Sequence, residues 1–259
     1  MTRIADDLVD ELKRGDDAVY VCDNFLGATL SAQMRREAEK MYDMSSETPG
    51  LFVKSQSIDA RQNRIYEKEH VYAMQVMGGN TQYDMAPKLV EYIVHMTSVL
   101  GTVLNHALKG RAALSTKLQS NKLAVCTNGG AAYDKHIDNG GAGDLRKISI
   151  LYYMNPMYKR GDGGCFRAFS STDSSVYRDI EPVADRLVVF WSDALVHSVT
   201  PMLNSKSQGN AEVSVACAGE PLDRSKRRYA LTIWLCSESI TEIRDLPESV
   251  RKLHFPLTN

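Results

Sequence analysis

The chain has 259 residues, 43% of them apolar and 24% charged, an ordinary globular composition long enough to bury a sizeable core. Its 31 Lys and Arg almost balance 32 Asp and Glu, for a formal net charge of −1, so no general attraction to nucleic acid or to an anionic membrane is expected. No apolar run reaches the roughly 18 residues of a membrane span, and the start Met1-Thr2-Arg3-Ile4-Ala5-Asp6-Asp7 lacks a signal-peptide core. Cys22, Cys126, Cys165, Cys217 and Cys236 are odd in number, scattered and free of Cys-x-x-Cys spacing. That argues against a disulfide framework or a zinc knuckle and for a reducing compartment, cytoplasmic or nuclear.

Ile4, Leu8 and Leu12 recur every fourth residue and predict a short amphipathic helix stopped near Gly15. Residues 18–22 are strand-like and lead to a turn before Phe25. Met34, Ala38 and Met41 predict a helix over 31–44. Pro49-Gly50 then opens a segment from Leu51 to Tyr72 that reads as two strands joined by an exposed polar loop. Met77 to Gln82 reads as a loop and Pro87 as a helix start. Leu89, Ile93, Met96, Leu100 and Leu104 predict one long helix face, with His95 and His106 as surface or packed residues rather than ligands.

From Lys122 the pattern becomes short strands with turn punctuation, as in a sandwich or small barrel. Strands are predicted over 123–126, 148–154, 165–169, 186–191 and 229–235, with turns at Asn128-Gly129-Gly130 and Gly161-Asp162-Gly163-Gly164. Helices first and strands second predict an α+β domain with helices on one face of a sheet system. The long irregular stretch is Met202 to Lys226; loops of that length are usually functional or disordered.

Candidate chemistry centres on Tyr133-Asp134-Lys135-His136-Ile137-Asp138. On an extended segment His136 and Asp138 point the same way, because strand side chains alternate with period two. That suits two adjacent ligands of one metal ion; the competing reading is a surface turn leading into Asn139-Gly140. His197, just past the apolar run Arg186 to Trp191, is the candidate third ligand. Two histidines and one carboxylate with open positions opposite are the set used by non-haem Fe(II) oxygenases. On the last strand Arg228, Ala230, Thr232 and Trp234 share a face, as do Ser149, Leu151 and Tyr153 on theirs. A buried Arg228 would need a carboxylate partner.

These segments together resemble the Fe(II)- and 2-oxoglutarate-dependent prolyl hydroxylases, most closely the hypoxia-inducible-factor type. The likeness is carried by His136-Ile137-Asp138-Asn139, Leu151-Tyr152-Tyr153-Met154-Asn155, Gly163-Gly164, Asp179-Ile180-Glu181-Pro182, Asp185-Arg186-Leu187, Trp191-Ser192-Asp193, His197-x-Val199-x-Pro201 and Arg228 through Trp234. Upstream it extends to Asp23-Asn24-Phe25-Leu26-Gly27 and the Lys54 to Tyr72 segment. The resemblance implies a single catalytic domain over 1–259, with helical support mainly in 1–110 and a double-stranded β-helix (jelly-roll, cupin-like) core over about 122–236. It implies Fe(II) held by His136, Asp138 and His197, with 2-oxoglutarate and O2 as cosubstrates and ascorbate as a stimulant. Arg228 and Tyr153 would hold the distal carboxylate of 2-oxoglutarate, Leu151, Thr232 and Trp234 would line its pocket, and residues 52–68 would fold over a peptide. The activity implied is prolyl 4-hydroxylation of a protein target, such as a HIF-like factor, a ubiquitin-ligase adaptor or a translation protein, with oxygen sensing as one outlet. The alternatives are a hydroxylase of a free amino acid or small molecule, and a non-catalytic β-barrel binding module.

Two departures from the family pattern stand out. Cys126 occupies a position where the family has a tyrosine near the cosubstrate. The interval from His197 to Arg228 is unusually long and contains Lys206, close to where collagen-type enzymes place a lysine for the distal carboxylate. The strand match around Arg228 favours the arginine, with Lys206 as runner-up.

Overall fold

The computed structural model describes residues 2–48, 50–59, 64–141, 143–203 and 219–256, without the side chains of 2–4, 57–59 and 64–66. The first helix, α1 (Thr2–Arg14), buries Leu8, Val9 and Leu12, and closes with Lys13 and Arg14 in the last turn, where cations suit the helix dipole. After β1 (Val19–Cys22), α2 (Ala28–Asp43) buries Met34, Ala38 and Met41 at helical spacing. The next hairpin joins β2 (Val53–Asp59) to β3 (Arg64–Met74).

Two expectations need correction here. The stretch Met77 to Gln82 is not all loop, since α3 (Asn80–Met85) begins inside it. The long helix is three pieces: α4 (Pro87–His95), a wide turn of π type over Met96–Leu100, and α5 (Gly101–Ala107). Thr97 Oγ1 and Ser98 Oγ donate back to the carbonyls of Ile93 and Val94, at 2.8 and 2.6 Å, a competition with the backbone ladder that loosens helices. His95 and His106 are exposed.

The remaining chain is mostly strand: β4 (Leu114–Cys126), β5 (Tyr133–His136), β6 (Arg146–Tyr153), β7 (Phe166–Phe169), β8 (Tyr177–Ile180), β9 (Arg186–Trp191), β10 (His197–Val199) and β11 (Arg228–Ser237), closed by α6 (Glu248–His254). All strand pairs are antiparallel. They form a seven-stranded sheet in the order β1-β9-β6-β11-β4-β3-β2 and a four-stranded sheet in the order β5-β10-β7-β8.

Period-two alternation divides the large sheet into two working faces. Ile148, Ile150 and Tyr152 of β6, Leu187, Val189 and Trp191 of β9, and Tyr229, Leu231, Ile233 and Leu235 of β11 share one core with α1, α2, α4 and α5. The opposite faces, through Leu151, Tyr153, Val188, Phe190 and Ala230, meet Phe166, Ala168 and Ile180 of the small sheet. Burial on both faces is why these strands read as nearly continuous apolar runs. The N-terminal turn is tied to β9 by Asp185. Its carboxylate accepts from the Leu26 and Gly27 amides at 2.7 and 2.8 Å and from the Tyr152 hydroxyl at 2.9 Å. Among the described residues no helix is long and apolar enough to cross a membrane.

Candidate active site

The cleft between the sheets, about 460 Å³ of space, is lined by residues of β3, β4, β5, β6, β7, β10 and β11. Antiparallel pairing sets His197 of β10 opposite His136 of β5. Strand β5 ends at His136, so Asp138 stands just beyond it rather than on it, yet its side chain still lies beside both imidazoles. Asp138 Oδ1 is 3.7 Å from His136 Nε2 and 3.7 Å from His197 Nε2. One ligating atom from each of the three falls within 4.8 Å of the others, close enough to share one ion.

The surroundings aim these atoms. Nδ1 of His136 lies 2.6 Å from the Asp134 carbonyl, and Nδ1 of His197 lies 3.1 Å from the Leu195 carbonyl. Each Nδ1–H therefore donates to the backbone and each Nε2 lone pair is left facing Asp138. Asp138 Oδ2 accepts from Ser149 Oγ at 2.6 Å and Trp234 Nε1 at 3.0 Å, which leaves Oδ1 for a metal. Phe166 stacks on His197 at 5.0 Å and Phe190 meets it edge-on at 4.9 Å. Burial, then the neighbouring His197, lowers His136 to about 4. Burial opposes ionisation of Asp138, but the two imidazoles hold its carboxyl well below the ordinary range. A divalent cation bound here would require both imidazoles neutral and the carboxylate ionised, with the Nε2 lone pairs turned to the metal.

Deeper in the cleft, Arg228 is 3% exposed. Its Nε donates to the Gly164 carbonyl at 2.8 Å, and its guanidinium carbon lies 5.1 Å from the Tyr153 ring centroid. Among the described residues no carboxylate pairs with it. The hydroxyls of Tyr153 and Tyr133 are buried without a hydrogen-bond partner. A buried cation and two orphaned phenols make a receptor that lacks its anion, and an elongated dicarboxylate fits it. Leu151, Thr232 and Trp234 line the same cleft.

The Gly163-Gly164 turn lets the chain approach closely enough to seat Arg228. Both glycines have positive φ, +73 and +66. A Cβ at Gly163 would run into the Pro201 carbonyl oxygen, and one at Gly164 would come within 2.9 Å of Arg228 Cδ. Gly163→Ala is expected to cost about 1–3 kcal/mol of stability, from strain and overpacking together, measurable as a lower urea midpoint.

Among the contributors that the sequence does not mark as site residues are Tyr133, Lys68 and Lys122 on the cleft wall, Ser149 beside Asp138, and Phe166 and Phe190 against His197. Lys122 carried a legible signal, since it shares a strand face with Ala124 and Cys126 in an otherwise apolar run. Cys126 is fully buried among Val71, Ala131, Tyr133 and Val199, and burial raises its thiol. Lys206 lies outside the described residues, as does the tip of the 52–68 segment.

The 2OG-Fe(II) oxygenase superfamily model matches residues 122–236, the stretch that carries the triad and Arg228. Residues 122–236 are a 2OG-Fe(II) oxygenase domain. The oxygenase fold extends over most of the chain. A prolyl hydroxylase from Trichoplax adhaerens, in complex with a hypoxia inducible factor oxygen degradation domain peptide fragment, superposes with a TM-score of 0.65 at 22% identity, covering 93% of this chain and 91% of that one. A Pseudomonas putida prolyl-4-hydroxylase gives 0.63 at 24% identity, covering 91% and 100%. The fold is thus the double-stranded β-helix with supporting helices. Curated relatives include the Caenorhabditis elegans hypoxia-inducible factor prolyl hydroxylase, 28% identical over 85% of this chain and 26% of that protein. Egl nine homolog 1 of Rattus norvegicus is 27% identical over 90% of this chain and 64% of its own length. The chain therefore spans between a quarter and two thirds of these two relatives.

Proposed function

We propose that this chain is an Fe(II)- and 2-oxoglutarate-dependent prolyl 4-hydroxylase acting on a protein substrate. The observation that carries the proposal is the convergence of His136, Asp138 and His197 above a buried, anion-seeking Arg228. In this reading the two histidines and Asp138 Oδ1 hold iron on one face, and Arg228 with Tyr153 grips the distal carboxylate of 2-oxoglutarate. When bound, iron, 2-oxoglutarate and O2 supply the oxidising power that inserts oxygen into a C–H bond, releasing succinate and CO2. The protein contributes position and exclusion of water. Ser149 and Trp234 fix the Asp138 carboxylate, the Nδ1–H bonds fix both imidazoles, and Phe166 and Phe190 shield His197. Leu151 and Thr232 shape the walls against which the cosubstrate lies.

The choice of a prolyl protein substrate rests on the relatives, and the β2–β3 hairpin beside the cleft is the segment proposed to fold over the peptide. The shared core of helices and large sheet supports treating 1–259 as one catalytic unit. Four free, scattered cysteines among the described residues support a cytoplasmic or nuclear setting. The test is mass spectrometry of a cell lysate treated with protein, Fe(II), 2-oxoglutarate and O2. Hydroxyproline on a discrete protein, absent without iron, supports the proposal. Oxygen added only to a free amino acid or another small metabolite would move the protein to a different substrate class.

A further inference from the structure

The triad and the cosubstrate pocket leave two cleft cations unused. Lys122 stands on β4 opposite Thr232 of β11. Its Nζ is 5.6 Å from the Tyr133 ring centroid and 5.5 Å from that of Trp234. Lys68 comes from β3 and sets its Nζ 4.0 Å from the same Tyr133 centroid. Two ammonium groups from neighbouring strands thus converge over one phenol ring. Both residues are only half-buried, whereas Arg228 and Tyr153 are buried, so the lysines sit toward the open end of the cleft.

Like charges are not brought together without a reason. Burial and the facing Lys122 together lower Lys68 to about 7, and burial lowers Lys122 as well. Among the described residues neither ammonium has a carboxylate at ion-pair distance; Asp138 and Asp134 act on Lys68 only from further off. Arg146, which also lies over Trp234, is by contrast paired with Asp144. The charge does not balance once the site is loaded. Fe(II) and the 2-oxoglutarate dianion cancel each other. Lys68, Lys122 and Arg228 then face Asp138 alone. That leaves an excess of positive charge which proton loss from Lys68, lowered to about 7, relieves only in part, and an anionic group near the open end would reduce it further, both cosubstrate carboxylates being assigned elsewhere.

We propose that Lys68 and Lys122 form a carboxylate clamp for the substrate, selecting a proline flanked in sequence by an aspartate or glutamate side chain. The inference rests on the peptidyl-prolyl reading of the site. The rings of Tyr133 and Trp234 hold the ammonium heads at the cleft wall, where they can reach an acidic side chain beside the proline. A charge-assisted contact of this kind in a partly desolvated cleft discriminates by roughly tenfold or more.

The test uses the full chain loaded with Fe(II) and 2-oxoglutarate and a library of end-capped peptides, each with one central proline and randomised flanks. Bound peptides, captured without oxygen, and hydroxylated peptides, formed with it, are sequenced separately. Enrichment of Asp and Glu near the proline, by roughly tenfold over their amides, is expected in both pools. Lys122→Met and Lys68→Met should each collapse that enrichment, Lys122→Arg should retain it, and the Kd for 2-oxoglutarate should stay unchanged in all three. Hydroxyproline formed without acidic preference would overturn the clamp and leave the enzyme reading standing. A rise in the 2-oxoglutarate Kd of the methionine variants, with peptide preference intact, would also overturn it, by assigning the lysines to the cosubstrate. Oxidation of free L-proline with no library member modified would instead sink the peptidyl-prolyl reading.

Discussion

Replacing Arg228 by alanine is expected to raise the KM for 2-oxoglutarate about 100-fold, roughly 3 kcal/mol. The guanidinium is buried, its Nε is committed to the Gly164 carbonyl, and no carboxylate among the described residues pairs with it. The bound dicarboxylate would supply the planar partner that matches a guanidinium fork. Removing the arginine takes away that bidentate contact and leaves the Tyr153 and Tyr133 hydroxyls as donors. Arg228→Lys should recover only part of the loss, because a point charge cannot reproduce the fork. Steady-state succinate formation against 2-oxoglutarate concentration gives the result directly. An unchanged KM would mean that the distal carboxylate is held elsewhere, with Lys206 the first alternative to examine.

Asp193→Ala is expected to cost about 3–5 kcal/mol of folding stability, a large share of the roughly 5–15 kcal/mol typical of a domain. Asp193 is 1% exposed and accepts from Lys147 Nζ at 2.8 Å, the Arg244 amide at 2.9 Å and Arg244 Nη2 at 2.6 Å. Lys147 is equally buried, and Arg244 covers Trp191 at 4.5 Å. Deleting the carboxylate therefore strands a buried ammonium. The double variant Asp193→Ala/Lys147→Met should regain part of the stability, since an apolar replacement removes the stranded charge. Burial works against ionisation of Asp193, but Arg244 and then Lys147 hold its carboxyl below the ordinary carboxylate range. Its contribution is thus fully present above the unfolded value of about 3.9 and is lost as pH falls through the lower folded value. Urea midpoints of wild type and variant should differ most at neutral pH and converge in acid. A constant gap down to the lowest workable pH would assign the effect to packing alone.

Long, two-sided strands were the legible part of the fold. In β6, β9 and β11 the side chains after Arg146 and Arg186 are buried, by helices on one face and by the small sheet or the cleft on the other. Their apolar runs and period-two faces therefore appear in the sequence, Arg228, Thr232 and Trp234 included. Strand β5 shows in the sequence only as an extended segment around His136, and β8 and β10 do not show as strands at all. At four, four and three residues, with Asp134, Lys135, Arg178, Asp179 and Ser198 among them, they are too short and too polar to show a period. Their existence depends on pairing between residues far apart in the chain. The same holds for the contacts that complete the site. Nothing local to Ser149 or Trp234 announces that both donate to Asp138. A lysine in a sequence is by default a solvated one, so Lys68 emerges only when β3, β4 and Tyr133 are brought together, and Lys122, though set in an apolar run, acquires its neighbours only there. The broken helix between Pro87 and Ala107 was missed because its apolar spacing is helical, while Thr97 and Ser98 act on the backbone within it.

Iron held by His136, Asp138 and His197, with 2-oxoglutarate bound against Arg228, is read out by visible absorption of the full chain titrated with Fe(II) and then 2-oxoglutarate in the absence of O2. Chelation of Fe(II) by the keto acid should produce a metal-to-ligand charge-transfer band. That band should be lost in Asp138→Ala and His197→Ala, and should need far more 2-oxoglutarate to appear in Arg228→Ala. A band that survives in the Asp138→Ala and His197→Ala variants, or fails to form in wild type with iron bound, would contradict the account.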